Sequence, residues 1–118
     1  MGSPVVLTDR ATERGTYAID FSFKNENGVL VTPLTATWSL TNQSGTVINS
    51  RSDVAFTPPL APQMSIVLSD LDLALLAGET TVGQRRVTVK ATYTSVLGGT
   101  RPLNQEFVFF VDNLVNVS

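Results

Sequence analysis

Tyr17, Ile19, Phe21 and Phe23 alternate with Ala18, Asp20, Ser22 and Lys24, the clearest period-two pattern in the chain. A strand sends successive side chains to opposite faces, so this spacing predicts a strand with one buried and one wet face. The same alternation returns in Ala36, Trp38 and Leu40, set among Thr35, Thr37, Ser39 and Thr41, and again in Met64, Ile66 and Leu68. It is longest near the C-terminus. Val87, Val89, Ala91 and Tyr93 face one way and Thr88, Lys90, Thr92 and Thr94 the other; Leu103, Gln105, Phe107, Phe109 and Val111 then alternate with Asn104, Glu106, Val108, Phe110 and Asp112. Trp38, the single tryptophan, is expected to anchor the core together with Phe21, Phe23, Tyr93, Phe107 and Phe109.

The residues between these runs supply the turns. Asn25-Glu26-Asn27-Gly28 carries the Asn-Gly pair that gives a tight hairpin its positive φ values. Asn42-Gln43-Ser44-Gly45 predicts a second reversal, with Thr46–Ser50 returning as the other half of a hairpin, and Val96–Thr100 predicts a third. Val5-Val6-Leu7 is a short first strand, Thr8–Arg14 a polar connection, Val29–Val31 an extended return stopped by Pro33, and Val54–Phe56 a short edge piece. Pro58, Pro59 and Pro62 make 57–63 a crossover without ladder hydrogen bonds. Ser69-Asp70-Leu71-Asp72 has capping-box spacing and opens a short helical turn near 69–77, which Gly78 ends; 79–84 is a loop. About seven strands with one short helical turn predict an all-β Greek-key sandwich, with a small closed barrel as the runner-up.

Composition narrows the class. The 118 residues suit one domain, 1–118, with a short tail over 113–118. Apolar residues make up 42%, enough for a core. Charged residues make up only 15%, so Thr, Ser, Asn and Gln fill the polar faces, which tolerate a packed partner better than a charged surface does. A net charge of −2, with Arg85-Arg86 as the single basic pair, argues against nucleic acid. No apolar run reaches the length a membrane helix needs, and Met1-Gly2-Ser3-Pro4 has no signal-peptide character.

Catalytic chemistry finds few candidates. The chain lacks histidine and cysteine, which removes the commonest general base, thiolate nucleophiles and most zinc sites. Val96-Leu97-Gly98-Gly99-Thr100 is glycine-rich but sits between strands, without the helix that would hold a phosphate. Asp70 and Asp72 offer two oxygen ligands where calcium needs six or more, and capping accounts for them. Asn25–Gly28 looks like half a calcium loop without its closing Glu. Asp20 and Glu106 fall on solvent-facing positions with no cleft between them. The expectation is no enzyme, no cofactor and no metal.

The remaining signals are apolar residues where water is expected. Val96 and Leu97 sit at a hairpin tip, Val108 and Phe110 lie on the outward face of the last strand, and Leu114, Val115 and Val117 follow in the tail. These seven are the candidate partner contacts, the tail by strand addition to a neighbour's sheet. For Val108 and Phe110 the alternative is coverage by the N-terminal segment.

With the strands placed, the order resembles an immunoglobulin-like or fibronectin type III-like domain from about Val5 to Val111. Trp38, the turn at Ser69–Gly78 and the final pair Val87–Tyr93 and Phe107–Val111 carry the resemblance. The cysteine pair of antibody domains is missing, and Tyr93 is not in a Tyr-x-Cys context. The runs Phe23–Gly28 with Val31-Thr32-Pro33, Ala36–Leu40 with Ser44–Val47, and Ala91–Ser95 with Phe107-Val108-Phe109 resemble small stand-alone proteins of tailed bacteriophages and prophages. That resemblance implies a structural virion protein, made in the host cytoplasm and binding capsid or tail proteins in many copies on a symmetric assembly. Capsid decoration is the leading expectation, and a tail or head–tail connector component the alternative. A reading of another class is a carbohydrate- or cell-surface-binding module, for which Tyr17, Phe56 and Phe110 are the available aromatics.

Overall fold

A computed structural model of the chain describes residues 5–57, 59–75 and 82–112. It is all-β, with eight strands in two sheets packed as a sandwich. The strands are β1 (Val5–Val6), β2 (Ala11–Thr12), β3 (Thr16–Ser22), β4 (Thr35–Asn42), β5 (Val54–Ala55), β6 (Gln63–Ser69), β7 (Val82–Thr94) and β8 (Thr100–Asp112). The larger sheet runs β1-β8-β7-β4-β5, with β2 also paired to β8; the smaller is the antiparallel pair β3-β6. The spine is the β7–β8 hairpin, in register from Val82↔Asp112 to Thr94↔Thr100. β1 and β2 both join β8 in parallel, so the first part of the chain closes the edge made by the last strand.

The alternating patterns place the core. Tyr17, Ile19 and Phe21 of β3 and Ile66 and Leu68 of β6 face Trp38, Leu40, Val87, Val89, Phe107, Phe109 and Val111 of the larger sheet, all buried. Aromatic pairs join the layers: Tyr17 stacks on Phe109 at 4.7 Å and Phe21 meets Phe107 at 5.6 Å. Burying each such ring contributes about 1.5–3 kcal/mol. All six expected anchors, Trp38, Phe21, Phe23, Tyr93, Phe107 and Phe109, are buried.

Several elements differ from the sequence reading. Ala11–Thr12 lies in the stretch expected to be a polar connection, yet it forms β2, because the edge of β8 supplies its hydrogen bonds. Thr46–Ser50 is not a strand. It touches β4 through one bridge, Thr41↔Val47, and the ladder partner of β4 on that side is the edge piece Val54–Ala55. In the first hairpin only Gly28 has a positive φ (76°), Gly28 N–H donates to Asn25 O, and Asn25 N–H to Val29 O. This is a longer turn closed by a left-handed glycine rather than a two-residue Asn-Gly turn. The crossover is bonded at its end, where Pro62 O accepts from Phe23 N–H, and Gln63 already belongs to β6.

The helical turn is a single 3-10 turn, Asp70–Leu73, and Ala74 is already extended. Leu76 and Gly78, expected in its last part, lie outside the described residues, as do 79–81 of the expected loop. The rest of that loop, Val82–Gln84, is the start of β7. The buried row of β7 therefore extends beyond the valines to Arg85, which is fully buried. Its guanidinium donates to Gln84 O (2.9 Å) and Ala74 O (3.0 Å), tying the strand to the chain that leaves the 3-10 turn.

Candidate functional site

The residues expected to meet a partner separate into three groups. Val96 and Leu97 are at the β7–β8 tip and are 55% and 78% exposed. Val108 is buried, so it is not part of an exposed patch. Phe110 is half-buried, with the Arg10 guanidinium 5.3 Å from its ring centre. Arg10 in turn pairs with Asp112 at 2.8 Å. Arg10 of the N-terminal segment therefore lies over the Phe110 ring, while β1 and β2 fill the edge of β8. Leu114, Val115 and Val117 lie outside the described residues.

The tip does not stand alone. Gly98 and Gly99 have φ of 93° and 81°, which lets Ser95 close the turn: Gly98 N–H donates to Ser95 O and Ser95 N–H to Gly99 O. The Ser95 hydroxyl accepts from Leu97 N–H at 3.0 Å and donates to Glu26 Oε2 on the β3 hairpin. The Tyr93 hydroxyl donates to Glu26 Oε1 at 3.1 Å. The Glu26 hairpin is itself braced, with Asn25 Oδ1 accepting from the N–H groups of Asn27 and Val29. Leu34 is joined to the same end by its N–H bond to Thr92 O at 2.7 Å.

One carboxylate thus clasps two hairpins, and exposed apolar residues lie on or next to the clasped segments: Val29, Leu30, Leu34, Val96 and Leu97. Sequence reasoning found the last two and missed the first three. The signal for Val29 and Leu30 was the run Val29-Leu30-Val31, since a half-buried return strand needs only one side apolar. Hydrogen bonding from Ser95, then from backbone N–H groups and Tyr93, holds the Glu26 carboxyl below its ordinary pKa despite some desolvation. Burial, then the Glu26 contact, pushes the Tyr93 phenol up.

The opposite end is ionic. Asp72 is 1% exposed. It accepts from Arg51 Nε (2.7 Å), Asn49 Nδ2 (2.9 Å) and Ser69 N–H (3.2 Å). Burial pushes its carboxyl pKa up, but the bonds from Arg51, Asn49 and Ser69 and the charge of Arg51 outweigh it, so the pKa lies below the usual carboxylate value. Asp70 pairs with Arg14 at 2.9 Å. Each of the two carboxylates considered for calcium is therefore matched to an arginine, and among the described residues no group of three or more Asp, Glu, His or Cys side chains comes together.

Two further sequence features are placed here. Tyr17 and Phe56 are buried, with Tyr17 OH donating to Asp9 O at 2.7 Å, so neither forms a flat sugar-stacking platform. The basic pair is split: Arg85 is in the core, and Arg86 lies 3.8 Å from Glu106. No helix among the described residues is long and apolar enough to cross a membrane. Protein-family models, curated proteins and solved structures give no match to this chain.

Proposed function

We propose that this chain is a non-enzymatic structural protein of a phage-like virion, an immunoglobulin-like sandwich that decorates an assembled capsid. The observation that carries the reading is the clasped apolar end. Leu97 is 78% exposed on a tip whose backbone is fixed by Ser95 and, through Glu26, by the neighbouring hairpin. Exposed leucine on a floppy loop would lose ordering entropy on binding; a braced one loses less. The small apolar area at one end suits a weak individual contact that gains avidity from many copies on a lattice. The parallel pairing of the first strands with the last, and the β3-β6 pair packed across from β4, β7 and β8, support the immunoglobulin-like part of the reading.

The test is co-sedimentation of purified protein with assembled particles and, separately, with free capsid subunits. Decoration requires saturable binding to particles at fixed stoichiometry and little binding to subunits. A stable ring formed by the protein alone would replace decoration by a tail or connector role. Absence from particles at saturating concentration would overturn the virion reading.

A further inference from the structure

The clasped hairpin carries a pair of residues with chemistry of their own. Asn27-Gly28 is the single Asn-Gly step in the sequence. An asparagine side-chain carbon can meet the backbone nitrogen of the next residue, and the bond between them closes a five-membered ring. A following side chain obstructs that closure; glycine has none, and its backbone turns freely. The other asparagines precede Glu26, Gln43, Ser50, Gln105, Leu114 and Val117, all of which carry side chains.

Local bonding separates Asn27 further from its competitors. Asn25 and Asn42 are held by their side chains, since each Oδ1 accepts two backbone N–H groups, from Asn27 and Val29 in one case and from Ser44 and Thr46 in the other. Asn49, followed by the small Ser50, donates its side-chain amide to buried Asp72 at 2.9 Å. Asn27 is exposed, and no hydrogen bond among the described residues takes its side-chain amide. Gly28 is exposed beside it, with nothing within 4 Å of where a Cβ would sit. One bond restrains the pair: Gly28 N–H donates to Asn25 O at 2.9 Å. The nitrogen must give up that proton to attack, so the ring closes when the hairpin tip opens, a local fluctuation far short of unfolding.

We infer that Asn27 is a self-modification site, and that its isoaspartyl product unlatches the Glu26 clasp. The Gly28 nitrogen attacks Asn27 Cγ and loses its proton; the bond from Cγ to Nδ2 breaks, and Nδ2 leaves with that proton as ammonia. Water then opens the succinimide, and nothing is oxidised or reduced. Opening at Cγ leaves an aspartate. Opening at the backbone carbonyl of residue 27 leaves an isoaspartate, whose main chain runs through Cβ and Cγ. The lengthened link falls inside the turn that places Glu26. Across it, Asn25 holds Gly28 and Val29 through bonds of 2.9–3.1 Å, and an extra backbone carbon puts these groups out of register. Glu26, the residue before, holds Tyr93 and Ser95 with its carboxylate. Isoaspartate therefore releases the β7–β8 tip, whereas aspartate adds a charge and keeps the backbone. The inference concerns the hairpin alone and does not rest on the virion reading.

Purified protein kept in mildly alkaline buffer, followed by peptide mapping that resolves isoaspartate from aspartate and by amide exchange, tests it. Asn27 will convert at least about tenfold faster than any other asparagine. In the isoaspartyl fraction the Leu97 amide, which donates to Ser95 Oγ, will exchange about tenfold faster than in fresh protein. Asn27→Asp carries the new charge on an unaltered backbone and will keep that amide protected. Asn27→Gln, whose longer side chain cannot close the five-membered ring, will pass through the same incubation with residue 27 unmodified and the clasp intact. Conversion at Asn27 no faster than at the other asparagines would overturn the site. An isoaspartyl fraction whose Leu97 amide is as protected as in fresh protein, or an Asn27→Asp chain that loses protection equally, would overturn the unlatching by a lengthened backbone.

Discussion

Arg51 donates a 2.7 Å hydrogen bond from Nε to Asp72 Oδ1 and reaches Oδ2 with Nη2 at 3.4 Å, pinning the connection after β4 to the 3-10 turn after β6. The guanidinium also lies 5.9 Å from the Trp38 ring centre, so one side chain spans the ionic end and the edge of the core. Removing one partner of a buried pair costs about 3–5 kcal/mol because the other charge is stranded. Arg51 is 40% exposed, and Asn49 and the Ser69 N–H remain to Asp72. Arg51→Ala is therefore expected to cost less, about 2 kcal/mol. Urea unfolding followed by Trp38 fluorescence measures it; a loss under about 0.5 kcal/mol would mean that solvent replaces the pair.

The same carboxylate gives the fold an acid limit. The folded-state pKa of Asp72 lies below its ordinary value, so folding holds the proton less tightly than the unfolded chain does. Its contribution is complete above about pH 4 and is lost as the pH falls below that value toward the folded-state pKa. The stability difference between wild type and Asp72→Asn will shrink across that acid window and stay constant from pH 5 to 7. A difference that stays flat down to about pH 2 would remove Asp72 from the acid response.

At the other end, Glu26→Gln will lower the Tyr93 pKa toward its ordinary value, since the Glu26 hydrogen bond and charge are among the causes that raise it, after burial. Tyr17, whose phenol is raised by burial and by Asp9, will not move. NMR titration of the two tyrosines separates them. The variant also weakens the clasp on Ser95, so the Leu97 amide, which donates to Ser95 Oγ, will exchange faster while global stability holds.

How much of this was legible along the chain follows from how local each signal is. Tyr17, Ile19 and Phe21 announce β3 because a strand's alternation is written within seven residues. Ala11–Thr12 announces nothing, because β2 exists through the parallel edge that β8 offers, a hundred residues downstream. Val108 broke the alternation of β8, and it is buried where β1 fills the edge of that strand, with Val6 opposite it in register. The clasp was the least visible. Glu26 reads as an ordinary turn residue, and its partners Tyr93 and Ser95 lie 67 and 69 residues away, with only the fold to bring them together. The apolar tip at Val96 and Leu97 was legible because a hairpin turn with two consecutive apolar residues has no local reason to carry them.

Neighbouring phenylalanines on β8 provide a direct check of the two-faced reading. Phe109 is fully buried and stacks on Tyr17 across the sandwich, whereas Phe110 is half-buried beneath Arg10. Phe109→Ala leaves a cavity between the sheets and is expected to cost about 3–5 kcal/mol. Phe110→Ala loses partial burial and a cation–π contact, about 1 kcal/mol. Thermal or urea unfolding of the two variants side by side tests the assignment, and equal losses would contradict it.

The decoration reading stands or falls on Leu97. Its side chain contributes little to the fold, being 78% exposed, so Leu97→Asp will change unfolding free energy by no more than about 0.5 kcal/mol. At a partner interface the same change buries a carboxylate where an alkyl group fitted, and particle affinity will fall at least about tenfold. Val67→Lys serves as the control, because it alters an equally apolar exposed residue on the far side of the sandwich edge from the clasp. Particle binding lost in Leu97→Asp and kept in Val67→Lys locates the contact at the clasped end. Binding lost in Val67→Lys and kept in Leu97→Asp moves the contact to β6, and then the apolar end, braced as it is by Glu26, has no role in docking.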